Sequence, residues 1–159
     1  MKNIKLSQGK FAKVDDDVFD YLNQWKWTFD RSTGYAIRRI HGITSRKVYM
    51  HRLINKTSKN LVTDHVNGDK LDNQSANLRV ATEAQNRANQ KKRSDNTSGY
   101  KGVSYNKLTG KWETYITANR KRIHIGLFED INEAAKAYNA KAVELFGYYA
   151  KLNTIKEGE

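Results

Sequence analysis

The chain has 159 residues, of which 38% are apolar and 29% charged, with no cysteine, no proline and a net charge of +12. That length allows one ordinary domain or two small ones with modest cores, and the lack of cysteine excludes disulfide staples and thiolate zinc sites and suits a reducing cytoplasm. No run of about 18 apolar residues is present, so no transmembrane helix is expected, and the opening "MKNIKLSQGK" lacks the apolar core of a signal peptide. The basic surplus predicts a polyanionic partner. Nucleic acid is favoured over membrane, because no basic amphipathic helix with a continuous apolar face is found. The surplus is uneven: +8 over residues 1–60, +1 over 61–98 and +4 over 99–153. Acidic groups therefore collect in the middle of a basic chain.

Residues 1–60 read as a β-rich module. "DDDVFDYLNQW" places Val18, Leu22 and Trp25 at i, i+4 and i+7, which predicts a short helix capped by an aspartate. "KWTF", "YAIRRI" and "KVYMHRLI" are expected as strands, with "DRSTG" and "HGITSR" as turns. On that reading His51 shares a strand face with Tyr49 and Leu53 and is read as structural, with catalysis as the alternative. His41 falls in a turn. Residues 61–93 read strand, loop, strand, helix: "LVTDHV", the Asn67-Gly68 turn, "NLRVA", then "TEAQ". Thr82 is the expected N-cap and Gln85 the N3 partner of a capping box, and the helix is expected to run through "NRANQKKR". The polar stretch 94–99 is the candidate linker.

The remainder predicts three strands, "KGVSYN", "KWETYITAN" and "KRIHIGLF", and one helix. Alternation puts Trp112, Thr114, Ile116 and Ala118 on one face and Lys111, Glu113, Tyr115, Thr117 and Asn119 on the other. Asp130 and Glu133 start the helix, Ile131, Ala135, Tyr138, Ala142 and Leu145 form its apolar stripe, and Gly147 ends it. The helix covers one sheet face and leaves the other open.

The polar run from Thr63 to Asn86 carries the parts a phosphodiester nuclease needs: a base, a cation site and groups that hold phosphate. His65 suits the base, since its unperturbed pKa lies near neutrality. Asp64 is a hard oxygen ligand for Mg²⁺, and Asn86 a neutral one in the first turn of the following helix. Because neighbouring strand residues point to opposite faces, the strand is expected to become irregular at Asp64–His65. Asn67, Asn73 and Asn77 suit a loop, since their side chains bond local backbone. Asp69 and Asp72 are read as loop-bracing or solvated. Arg79 is read either as a phosphate contact or as a surface ion pair.

Asp64-His65, Asn77 and Asn86, within "DHVNGDKLDNQSANLR" and "ATEAQNRAN", resemble the HNH endonucleases, and more closely the phage homing-type branch in which the last His is Asn. The resemblance implies a ββα-metal finger, His65 as general base, Asp64 and Asn86 as ligands of Mg²⁺ or Mn²⁺, and Asn77 as the brace of the loop that orients His65. Asn89, one turn on, competes with Asn86 for the ligand role.

"GKW", "IGLF", "EAAKAYN" and "AKLN", within 99–153, resemble the plant apetala-two/ethylene-response-factor DNA-binding domain, which implies a sheet laid in a DNA groove. The DNA-facing positions then fall on Lys101, Ser104, Lys111, Tyr115, Thr117, Arg122 and His124. The last five also follow from strand alternation. Ser104, Thr117, Tyr115 and His124 depart from the plant pattern, so no target sequence is implied. Arg87, Lys91, Lys92 and Arg93 are expected to track the DNA backbone from the finger's helix into the linker.

The expectation is thus an α+β protein: an HNH endonuclease domain over 1–93, a linker over 94–99 and an apetala-two-type domain over 100–153. Its expected activity is metal-dependent cleavage of double-stranded DNA of the homing type, with nicks as the expected products, by a monomer or homodimer without an evident protein partner. A non-catalytic DNA-binding regulator with a decayed HNH fold, and a nuclease of structured RNA, are the alternatives.

Overall fold

The structure is a computed structural model that describes residues 1–42 and 45–155. It is α+β and divides into two compact units, Met1–Glu83 and Ala84–Glu159. In the first, β1 (Lys2–Lys5) and β2 (Phe11–Val14) form an antiparallel hairpin. Alternation turns Ile4, Ala12 and Val14 inward, where they are buried with Leu6, Leu22, Trp27, Ala36 and Met50. α1 (Asp16–Asn23) supplies Leu22 to that core. The indole N–H that Trp27 brings into this core is satisfied, because Nε1 donates to the Leu22 carbonyl at 2.8 Å.

β3 (Thr28–Phe29), β4 (Ala36–Ile40) and β5 (Arg46–Tyr49) form a three-stranded antiparallel sheet with β4 in the centre. The expected turn "HGITSR" has its centre, Ile43 and Thr44, outside the described residues. "MHRLI" was expected to extend the third strand. It forms the helix α2 (Met50–Ile54) instead. Met50 enters the core, with Leu53 and Ile54 packed against it. Those positions are i, i+3 and i+4, a helical stripe hidden by the β-branched and aromatic residues before it.

β6 (Val62–His65) and β7 (Leu78–Ala81) form an antiparallel ribbon, followed by α3 (Glu83–Ala88). This is the strand, loop, strand, helix order expected for 61–93, but the helix is shorter than expected. It stops at Ala88, and Lys91, Lys92 and Arg93 lie in irregular chain. The Lys101 ammonium donates to the Ala88 and Gln90 carbonyls at 2.6 and 2.7 Å, and the Lys151 N–H donates to Ala88. Carbonyls that a longer helix would bond internally are taken by other groups.

The second unit contains β8 (Val103–Asn106), β9 (Lys111–Ala118) and β10 (Lys121–Phe128), with β9 in the centre, and α4 (Ile131–Phe146). Asp130 caps α4 by accepting the Glu133 N–H at 2.9 Å. Ala134, Ala135, Tyr138 and Ala142 of α4 are buried against Val103, Ile116 and their neighbours. Small residues on the helix let it approach the sheet closely. Gly102 has φ +77°, and a Cβ there would lie 2.2 Å from the Tyr138 ring and 2.5 Å from the Tyr115 carbonyl oxygen. Only glycine fits that position. Among the described residues no helix is long and apolar enough to cross a membrane.

Candidate active site

The β6–β7 ribbon pairs Asp64 with Arg79 and His65 with Leu78 in unbroken register. The irregularity expected at Asp64–His65 is absent. The strand stays regular through His65, and the chain turns only afterwards, where Val66 N–H donates to the Asn77 carbonyl and Gly68 N–H to the His65 carbonyl, both at 2.9 Å. Asp64 and His65 therefore leave opposite faces of the ribbon, and both are 4% exposed.

On one face, Arg79 donates to Asp64 Oδ2 through Nε at 2.8 Å and through Nη2 at 2.7 Å. The side chains of this pair are nearly buried, so Arg79 forms a buried ion pair and not the surface one considered from the sequence. On the other face, His65 Nε2 lies 3.3 Å from Asn73 Oδ1. Asn73 Nδ2 donates to the Leu71 carbonyl at 3.2 Å, which turns Oδ1 toward the imidazole. Nε2 then carries the hydrogen and Nδ1 the lone pair. Burial pulls the His65 pKa below its ordinary value, against the Asn73 bond and the charges of Asp64, Asp69 and Asp72. Burial thus favours the neutral ring, the form a base requires.

The loop between the two strands is built from side-chain bonds to its own backbone. Asn77 Oδ1 accepts the Asn67 N–H at 3.0 Å, and its Nδ2 donates to the Asp72 carbonyl at 2.8 Å. Asn67 Oδ1 accepts from Asp69 N–H, and Asp69 Oδ1 from Leu71 N–H. The N-terminal hairpin supports the loop from behind. Lys13 N–H donates to the Leu71 carbonyl, Asn73 N–H donates to the Lys13 carbonyl, and Asp15 Oδ2 accepts the Ser75 N–H at 2.7 Å. Asp15 occupies the N-cap position of α1 without a side-chain cap bond; its carboxylate serves the loop instead.

Two residues at this site were missed. Asn73, only 1% exposed, holds the imidazole; the sequence shows it as one loop asparagine among several. His51, misread as a strand residue, is buried on α2 with its ring 5.2 Å from that of His65. Tyr35 lies against both, 4.5 Å from His51 and 5.8 Å from His65.

No group of three or more acidic, histidine or cysteine side chains suited to a metal is found among the described residues. The donors named from the sequence are a carboxylate and an amide oxygen, hard ligands that fit Mg²⁺ or Mn²⁺ chemically. Asn86 lies on α3 within the second unit.

In the second unit, the cross-strand pairs Ser104–Glu113, Tyr115–His124 and Thr117–Arg122 lie on the sheet face opposite α4. Arg122 lies over the Tyr115 ring at 3.7 Å, Tyr115 donates to Glu113 at 2.6 Å, and Lys111 pairs with Glu129 at 2.8 Å. Lys101 differs from the rest. Its ammonium is committed to backbone carbonyls, and burial with the Lys151 charge nearby brings its pKa down to about 8. Arg87, Lys91, Lys92 and Arg93 line a cavity of about 540 Å³ together with Tyr115 and Thr117.

A family model described as HNH endonuclease matches residues 48–88. The chain is 32% identical over 154 residues to an uncharacterized HNH endonuclease of Acanthamoeba polyphaga mimivirus, covering 93% of this chain and 77% of the relative. It is 32% identical over 94 residues to Protein 3.8 of an Escherichia phage, covering 59% of this chain and 77% of that one. An AP2-like ethylene-responsive transcription factor of Arabidopsis thaliana is 36% identical over 59 residues, which is 37% of this chain and 12% of the plant protein.

Proposed function

Because this chain belongs to the HNH endonuclease family, we propose that it is a divalent-metal-dependent DNA endonuclease of the homing type that nicks double-stranded DNA. The observation that carries this reading is His65: a buried imidazole at the end of β6, with Nε2 beside Asn73 Oδ1, a pairing in which Nδ1 is the basic nitrogen. His65 Nδ1 accepts a proton from water as the water oxygen attacks phosphorus in line. The phosphorus–O3′ bond breaks, and the departing oxygen takes a proton from solvent. Asn73 keeps the imidazole in the reactive tautomer, and Asn77 holds the loop that carries Asn73. Asp64 and Asn86 would hold Mg²⁺ or Mn²⁺, which when bound stabilises charge on the phosphoryl and leaving oxygens.

The second unit supports the choice of DNA. Its likeness is to AP2-like transcription factors, and its open sheet face carries Arg122, Thr117, His124 and Ser104. We assign Lys111, Arg122, Tyr115, Thr117, His124 and Ser104 to DNA contact, with Arg87, Lys91, Lys92 and Arg93 along the backbone. Lys101 is assigned to holding the 88–90 segment. Residues 1–93 would form the catalytic part and 100–153 the DNA-binding part. One active site per chain cuts one strand at a time, so nicking is the expected product.

The test is cleavage of supercoiled plasmid with Mg²⁺ or Mn²⁺, with and without EDTA, beside structured RNA as competitor. Nicking that EDTA abolishes and DNA competes supports the reading. Cleavage that persists in EDTA, or that only RNA suppresses, contradicts it.

A further inference from the structure

His51 is 6% exposed, and its Nδ1 has no hydrogen-bond partner. Such an atom is costly to bury, and in a native protein it needs a reason. Packing alone does not supply one. The ring sits among aromatic side chains, 4.5 Å from Tyr35 and 5.5 Å from Tyr49, where phenylalanine would fill the same space without an unpaired nitrogen. The position is also specific. α2 packs on β6, and the His51 and His65 rings meet edge to face at 5.2 Å and an interplanar angle of 78°.

We propose that His51 is a second catalytic residue, whose Nδ1 accepts a hydrogen bond from the attacking water while His65 accepts the proton that is transferred. The inference rests on His65 being the general base. With centroids 5.2 Å apart, one water can hydrogen-bond both imidazoles where their nitrogens lie on facing edges. A water that donates one O–H to each imidazole presents its lone pairs away from both, toward phosphorus. One proton passes to His65 as the P–O bond forms. The other O–H stays intact and bonded to His51. His51 thus undergoes no net chemistry; it fixes the direction from which the water attacks.

The experiment uses the full chain and compares wild type with His51→Phe, His51→Asn and His65→Ala. DNA affinity, thermal melting and single-turnover cleavage with Mg²⁺ are measured for each. Phenylalanine keeps the packing and removes the nitrogen, whereas asparagine places an oxygen near the Nδ1 position. The expected result is that His51→Phe binds DNA as wild type does, melts no lower, and cleaves on the order of 10²-fold more slowly. His51→Asn should recover a measurable part of that rate. The inference is overturned if folded His51→Phe cleaves within about twofold of wild type. It is equally overturned if the phenylalanine and asparagine variants lose rate in equal measure, because packing would then explain both. A dead His65→Ala beside a fully active His51→Phe removes this inference alone, whereas an active His65→Ala removes the general-base reading itself.

Discussion

At the scale of the residue, the roles are divided among side chains of similar polarity by what they touch. Asn77 binds backbone on both sides of the loop, whereas Asn73 binds the imidazole. The spacing of Asp64, His65, Asn77 and Asn86 made the candidate set legible in sequence. Asn73 was not legible as a partner, because its function depends on how the loop returns to β6. Replacing Asn73 with alanine leaves a buried imidazole N–H unpaired, which should cost about 1–3 kcal/mol. Urea unfolding should show that loss, and cleavage should slow without a change in DNA affinity. His51 supplies a second expectation. Its pKa is brought down from 6.5 to about 3, mainly by burial and then by His65 and Arg52. The unfolded chain therefore takes up a proton that the folded chain refuses. The contribution is fully present above about pH 6.5 and is lost as pH falls toward 3. Melting curves between pH 4 and 7 should show His51→Phe losing less stability on acidification than wild type.

At the scale of the element, short apolar runs were the difficulty. "KVYMHRLI" begins with strand-forming residues and ends as α2, where Met50, Leu53 and Ile54 make a helical contact with the core. The regular strands β8, β9 and β10 and the capped α4 were legible because alternation, capping and the helical stripe agree. The end of α3 was not, since it depends on Lys101 and Lys151, distant in sequence. Lys101→Met should destabilise the chain by about 1–3 kcal/mol through loss of charged hydrogen bonds, as read by urea unfolding, and a neutral effect would remove the holding role. Gly102→Ala combines a positive φ with direct overlap on Tyr138. It should cost about 2–4 kcal/mol, seen as a lower melting temperature.

At the scale of the whole molecule, the charge of +12 pointed to a polyanionic partner before any fold was visible. It could not say where that partner binds. The assigned face combines cations with Tyr115 and an acid, Glu113, so binding should depend on geometry as well as on charge. Arg122→Ala should weaken binding to duplex DNA and reduce its salt dependence, since each lost phosphate contact lowers the slope by about one. Titrations at several salt concentrations measure both. The catalytic claim needs a different test, in which binding and cleavage are read on the same protein. The most direct is single-turnover cleavage of a bound DNA duplex by wild type and His65→Ala in Mg²⁺. General-base removal should slow cleavage by about 10²–10⁴-fold while the dissociation constant stays unchanged. Cleavage by His65→Ala at the wild-type rate, still abolished by EDTA, would contradict the account.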